Sequence, residues 1–179
     1  GHKRYNEFFY NSIQLEVKGF NNINNSLKNY FKTEIMDGEN KINCEECNMK
    51  RTCHKRQIFK SLPNILIINL KRFEFDYNTM LKYKLNNYFE FPFELDMKDY
   101  LIENNNEKNT LYELTGITIH FGVSDYGHYY DLIKSPNDGK WYKFNDNFVH
   151  EFPVEDISHE AFGEREIEDD FNKEIEEKE

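Results

Sequence analysis

Two groups of residues in this sequence have types and spacings that could do chemistry. The first is Cys44-Glu45-Glu46-Cys47, a CxxC pair whose two thiolates can meet one zinc ion in a tight knuckle. A closed structural zinc takes four ligands, and the nearest further candidates, Cys53 and His54, are adjacent in sequence and poorly placed to converge with the pair. Cys44 and Cys47 therefore read as half of a structural zinc site. The competing readings are small residues in a strand and turn, since cores tolerate thiols, and a redox CxxC, which lacks the βαβ pattern around it. The second group is Gly127-His128-Tyr129-Tyr130, followed by Trp141-Tyr142-Lys143-Phe144-Asn145-Asp146. A histidine opening a strand after a glycine-flanked loop is placed to project into a cleft. An Asn or Asp oxygen on the next strand, accepting from its imidazole N–H, would fix tautomer and orientation. His128, Asn145 and Asp146 thus have the form of a base and its orienters, without a nucleophile. The same pattern also describes a hydrogen-bonded structural histidine, as does His120, which has no comparable partner.

These residues must be positioned by strands. Ile117, Ile119 and Phe121 alternate with Thr118 and His120, and Tyr129 to Ile133 forms a second apolar-rich run. The connection from Gly122 to Gly127 has glycine at both ends and suits a hairpin loop. Asp138-Gly139 marks the next turn, and Trp141 to Phe144 supplies a third strand. Upstream, Ile13, Leu15 and Val17 at period two predict a strand with one buried face. Ile23, Leu27, Tyr30 and Phe31 fall at helical spacing, behind Asn and Ser residues that can cap. Pro63 breaks the chain before Ile65-Leu66-Ile67-Ile68, a β-branched run that predicts a central strand buried on both faces. More strand than helix and no βαβ alternation give an α+β class with a mainly antiparallel sheet.

Composition narrows the function. The chain has 179 residues, 38% of them hydrophobic, with 16 Phe and 12 Tyr, enough for one domain with a real core. A net charge of −10 disfavours a nucleic-acid partner, because phosphate binding relies on Lys and Arg. No stretch approaches the ~20 apolar residues of a membrane span. Three cysteines clustered between Cys44 and Cys53 make no disulfide framework. The expectation is a soluble intracellular protein, cytoplasmic or nuclear, with an acidic, solvated tail from Glu164 to Glu179.

Taken in order, Cys44 to Cys47, Leu62-Pro63-Asn64-Ile65-Leu66, Leu70-Lys71-Arg72-Phe73, Phe91-Pro92, Tyr112 to His120, Gly127-His128-Tyr129 and Trp141 to Asp146 resemble the landmarks in the second half of ubiquitin-specific proteases. The resemblance covers roughly Phe8 to Gly163. It implies a papain-like palm-and-fingers fragment over residues 1–163, with residues 164–179 a flexible tail. It also implies cysteine-type cleavage at the C-terminal glycine of ubiquitin, with ubiquitin or polyubiquitinated proteins as partners and no cofactor for catalysis. His128 resembles the general base, Asn145 the third triad member and Asp146 a polar neighbour that assists. Gly122 to Gly127 resembles a loop shaping access for the ubiquitin tail, and Cys44 with Cys47 resembles half of the finger zinc site. The family's Gly-Asn-Thr-Cys-Tyr nucleophile box, its first finger CxxC and its closing apolar strand are missing. The remainder of the catalytic domain is expected upstream of Gly1, and Gly1-His2 has the look of a tag remnant. The fragment alone is expected to be inactive. The alternative is a non-catalytic ubiquitin-binding or scaffold module derived from the same fold.

Overall fold

The computed structural model describes residues 2–102 and 109–164. The first strand, β1 (Ile13–Glu16), leads into helix α1 (Ile23–Tyr30). The side chain of Asn22 caps the helix by accepting from the Asn25 N–H at 2.9 Å, which satisfies one of the amides a helix start leaves open. Four short strands follow: β2 (Glu34–Met36), a hairpin of β3 (Ile42–Cys44) and β4 (Met49–Arg51), and β5 (Cys53–Lys55), which returns antiparallel to β2.

The chain then forms β6 (Ile68–Lys71), parallel to β1, and the hairpin β7 (Phe73–Asp76) and β8 (Leu81–Lys84). β9 (Glu94–Asp96) pairs with β10 (Leu111–Glu113). The largest sheet is an antiparallel meander of β11 (Gly116–Gly122), β12 (Gly127–Lys134), β13 (Trp141–Asn145) and β14 (Phe148–Phe152), ended by the short helix α2 (Ile157–Ala161). The α+β class with mainly antiparallel pairing is therefore observed, with one parallel pair. Among the described residues no helix is long and apolar enough to cross a membrane.

Two apolar clusters support these elements. Ile13, Leu15 and Val17 bury one face of the first strand against Ile23 and Leu27 of the helix, with Phe59, Phe89 and Met97, as their periods of two and of three to four require. Leu132, Trp141 and Ile157 form the second cluster, fixing α2 against the meander. The Ile65–Ile68 run departs from its expectation: Ile65 is 76% and Ile67 51% exposed, and only Ile68 enters β6. A β-branched run signals extended backbone, but β6 has a single partner in its sheet, and the residues before it lie outside any sheet. The acidic tail lies outside the described residues from 165 onward. Its first expected residue, Glu164, is bridged to Asn87, and its N–H donates to the Asn86 carbonyl at 2.8 Å.

Candidate active site

Strand pairing brings the histidine and its orienters together. His128 is the second residue of β12 and Asn145 the last of β13, so the two stand on neighbouring strands at one end of the meander. His128 Nε2 lies 2.6 Å from Asn145 Oδ1 and 3.7 Å from Asp146 Oδ2. Asp146 is acceptor-only when ionised, so both groups facing Nε2 offer oxygen, and the proton belongs on Nε2. The Nδ1 lone pair is then left as the basic site. Asp146 has φ of 52°, in the left-handed region that Asp tolerates better than most residues. This bend turns the chain into β14 directly after Asn145.

The loop before His128 depends on its two glycines. Gly122 has φ of 122°, and a Cβ there would lie 2.7 Å from the Gly127 Cα. A Cβ on Gly127 would lie 2.2 Å from His120 Nε2 and 2.5 Å from the Phe121 carbonyl. Only glycine fits both ends of this turn. His120 packs against Tyr129 and edge-on to Phe73, with ring centroids 4.7 and 5.1 Å away. Burial, and then the charge of Lys84, hold its imidazole below the usual histidine range, and its buried Nδ1 has no hydrogen-bond partner among the described residues. Phe73, Phe75, His120, Tyr126 and Tyr129 line a cleft of about 610 Å³ beside the loop. Residues alternate faces along a strand, so Tyr129 and this cleft lie on the opposite face of β12 from His128.

On the His128 face, Tyr130 and Lys143 both donate to Glu160 of α2, at 2.7 and 2.5 Å, and the Lys143 ammonium lies 4.1 Å from the Tyr130 ring centroid. This network fixes α2 two residues along each strand from His128 and Asn145. Burial would raise the Glu160 carboxyl, but the bonds from Lys143 and Tyr130 prevail and hold it below its usual range.

The thiol pair gains a third donor that its spacing did not reveal. His2 Nδ1 lies 3.4 Å from Cys44 Sγ and 3.6 Å from Cys47 Sγ, and the three donor atoms lie within 4.8 Å of one another. Tetrahedral zinc with the usual bond lengths puts its donors about 3.3 to 3.8 Å apart, so the trio has metal-site spacing. The bond from His2, and then the Cys47 N–H, draw the Cys44 thiol down to about 7, toward the thiolate that binds metal. Cys53 and His54 do not join the group; Cys53 stands opposite Met36 on the β2–β5 pair. With His2 the half-site becomes a group of three.

This chain belongs to the ubiquitin carboxyl-terminal hydrolases, the deubiquitinase family that includes the ubiquitin-specific proteases: the family model described as ubiquitin carboxyl-terminal hydrolase matches residues 4–171. It is 35% identical over 185 residues to the probable ubiquitin carboxyl-terminal hydrolase FAF of Drosophila melanogaster, covering 90% of this chain and 7% of that protein. It is 37% identical over 155 residues to ubiquitin carboxyl-terminal hydrolase 5 of Schizosaccharomyces pombe, covering 86% of this chain and 14% of that protein. The fold matches a chain of the SAGA Ubp8/Sgf11/Sus1/Sgf73 DUB module bound to ubiquitin aldehyde with a TM-score of 0.72 and 31% identity, over 84% of this chain and 34% of that one. The chain thus spans a small fraction of its curated relatives and about a third of its structural neighbour.

Proposed function

We propose that this chain is the histidine-bearing part of a cysteine-type deubiquitinase that hydrolyses the bond at the C-terminal glycine of ubiquitin. The observation that carries the reading is the 2.6 Å contact of His128 with Asn145, inside a chain of this family. With Nε2–H committed to Asn145 and Asp146, Nδ1 accepts the thiol proton of the nucleophile as the thiolate attacks the glycine carbonyl, and later returns it to the leaving amine. Asn145 acts through orientation, and Asp146 adds a second acceptor facing Nε2 at 3.7 Å.

The nucleophile comes from outside these 179 residues. Cys44 and Cys47 face His2, and Cys53 stands on β5 opposite Met36. A zinc ion held by His2, Cys44 and Cys47 would supply a structural cross-link between the chain's start and the β3–β4 hairpin, with its fourth ligand from beyond the described residues. It would take no part in the hydrolysis.

Ubiquitin carrying a C-terminal electrophile tests the assignment in the full-length protein. We expect a single adduct, mapped by mass spectrometry to a cysteine other than 44, 47 and 53. An adduct on any of these three would overturn it.

A further inference from the structure

β11 is an edge strand of the meander, so every second one of its carbonyls points away from β12 and needs another partner. Lys84, the last residue of β8, meets two of them. Its Nζ donates to the His120 carbonyl at 2.7 Å and to the Gly122 carbonyl at 3.3 Å. These residues bracket Phe121, which stands opposite His128 in the β11–β12 register. The same strand is tied to the turn a second time: Ser124 Oγ donates to the Lys82 carbonyl at 3.0 Å, while the Val123 N–H closes the loop on the Tyr126 carbonyl at 3.0 Å. Among the described residues Lys84 makes no ion pair. Desolvation, and then the neighbouring Arg72, lower its pKa against a smaller opposing pull from Glu164, so the hydrogen bonds of the ammonium go to carbonyl oxygens while no carboxylate lies within ion-pair distance among the described residues.

We propose that Lys84 is a positioning residue for His128: by fastening the open edge of β11 to β8 it sets the turn from Gly122 to Gly127, and through it the place of His128 against Asn145. The proposal deepens the reading of His128 as catalytic base and rests on it. Two charge-assisted bonds pin the segment that carries the turn, and their loss leaves the carbonyls to water, so the hairpin's opening equilibrium shifts while the core clusters stay folded.

The test uses the full-length protein that contains this chain, with Lys84→Met, which keeps the stem and removes the donors, and Lys84→Arg, which keeps donors. Amide exchange over residues 119–129 is expected to rise on the order of tenfold in K84M. Exchange over residues 13–17 should stay unchanged, and K84R should recover most of the protection. On a fluorogenic ubiquitin amide, kcat is expected to fall by a similar factor in K84M and to recover in K84R. Unchanged exchange over 119–129 would overturn the proposal. So would K84R being as impaired as K84M, or a change confined to KM, which would make Lys84 a substrate contact. Should K84M fail to fold, Lys84→Gln, whose amide can serve one carbonyl, is expected to give an intermediate rise, and no rise would sink the idea. If His128→Ala kept full turnover, the reading of His128 as base would fail by itself, and the exchange measurement would still decide the clamp.

Discussion

Arg72 ties together two segments that frame the sheet, and replacing it with methionine measures that role. Its Nη1 donates to the carbonyls of Leu85 at 3.0 Å and Asn87 at 2.9 Å, and Nη2 approaches that of Phe162 at 3.5 Å. The guanidinium is largely buried, and desolvation lowers its pKa. Methionine fills much of the same stem volume, so the change removes chiefly the donors. Hydrogen bonds from a charged donor contribute about 1.5 to 3 kcal/mol each. Part of the guanidinium still meets water, so the two shorter bonds are taken at the low end and the 3.5 Å contact at nothing, giving a loss of about 3 kcal/mol. Against the ~5 to 15 kcal/mol of a typical domain this is large. The assay is urea unfolding followed by the fluorescence of Trp141, the single tryptophan, which is buried in the meander's cluster. We expect a lower midpoint with an unchanged slope. A loss under about 1 kcal/mol would refute the role, since one net hydrogen bond is worth that much. Arg72→Lys should recover only part, because a single ammonium cannot reproduce the guanidinium fork.

Gly127→Ala should destabilise the chain by about 1 to 3 kcal/mol, since its Cβ would meet the Phe121 backbone as well as the His120 ring; thermal unfolding equal to the parent would contradict the packing. His2→Ala should weaken zinc binding at least on the order of tenfold, read by metal analysis after dialysis against a chelator, while Cys53→Ala should leave it unchanged. The Glu160 carboxyl is held below its usual value, so its contribution is present above the unfolded value, ~4.3, and is lost as pH falls through the folded one. Glu160→Gln should therefore flatten the acid limb of stability below about pH 4.5, and an unchanged limb would remove Glu160 from the account.

The parts of the site that were legible in the sequence are those set by local pattern. His128 follows a glycine-ended loop and Asn145 ends the next strand, so the one turn between β12 and β13 brings them together; strand and turn signals gave their placement, and the family resemblance gave their roles. His2 gave no local signal: its partner Cys44 is 42 residues away, and only the tertiary fold joins them. Lys84 is silent for the same reason, since what it bonds are carbonyls of a distant strand edge. β14 was missed because Phe148 to Glu151 are all exposed, leaving no one-sided apolar period to read. Ile65 to Ile68 misled in the opposite sense, since β-branched residues report an extended chain and not the number of neighbours it will have.

If His128 is the base of a deubiquitinase, the full-length protein carrying His128→Ala loses hydrolysis of a fluorogenic ubiquitin C-terminal amide. Turnover should fall by at least ~10³-fold, as when a triad member is removed, with the far-UV circular dichroism of the parent retained. Turnover within a few-fold of the parent would contradict it.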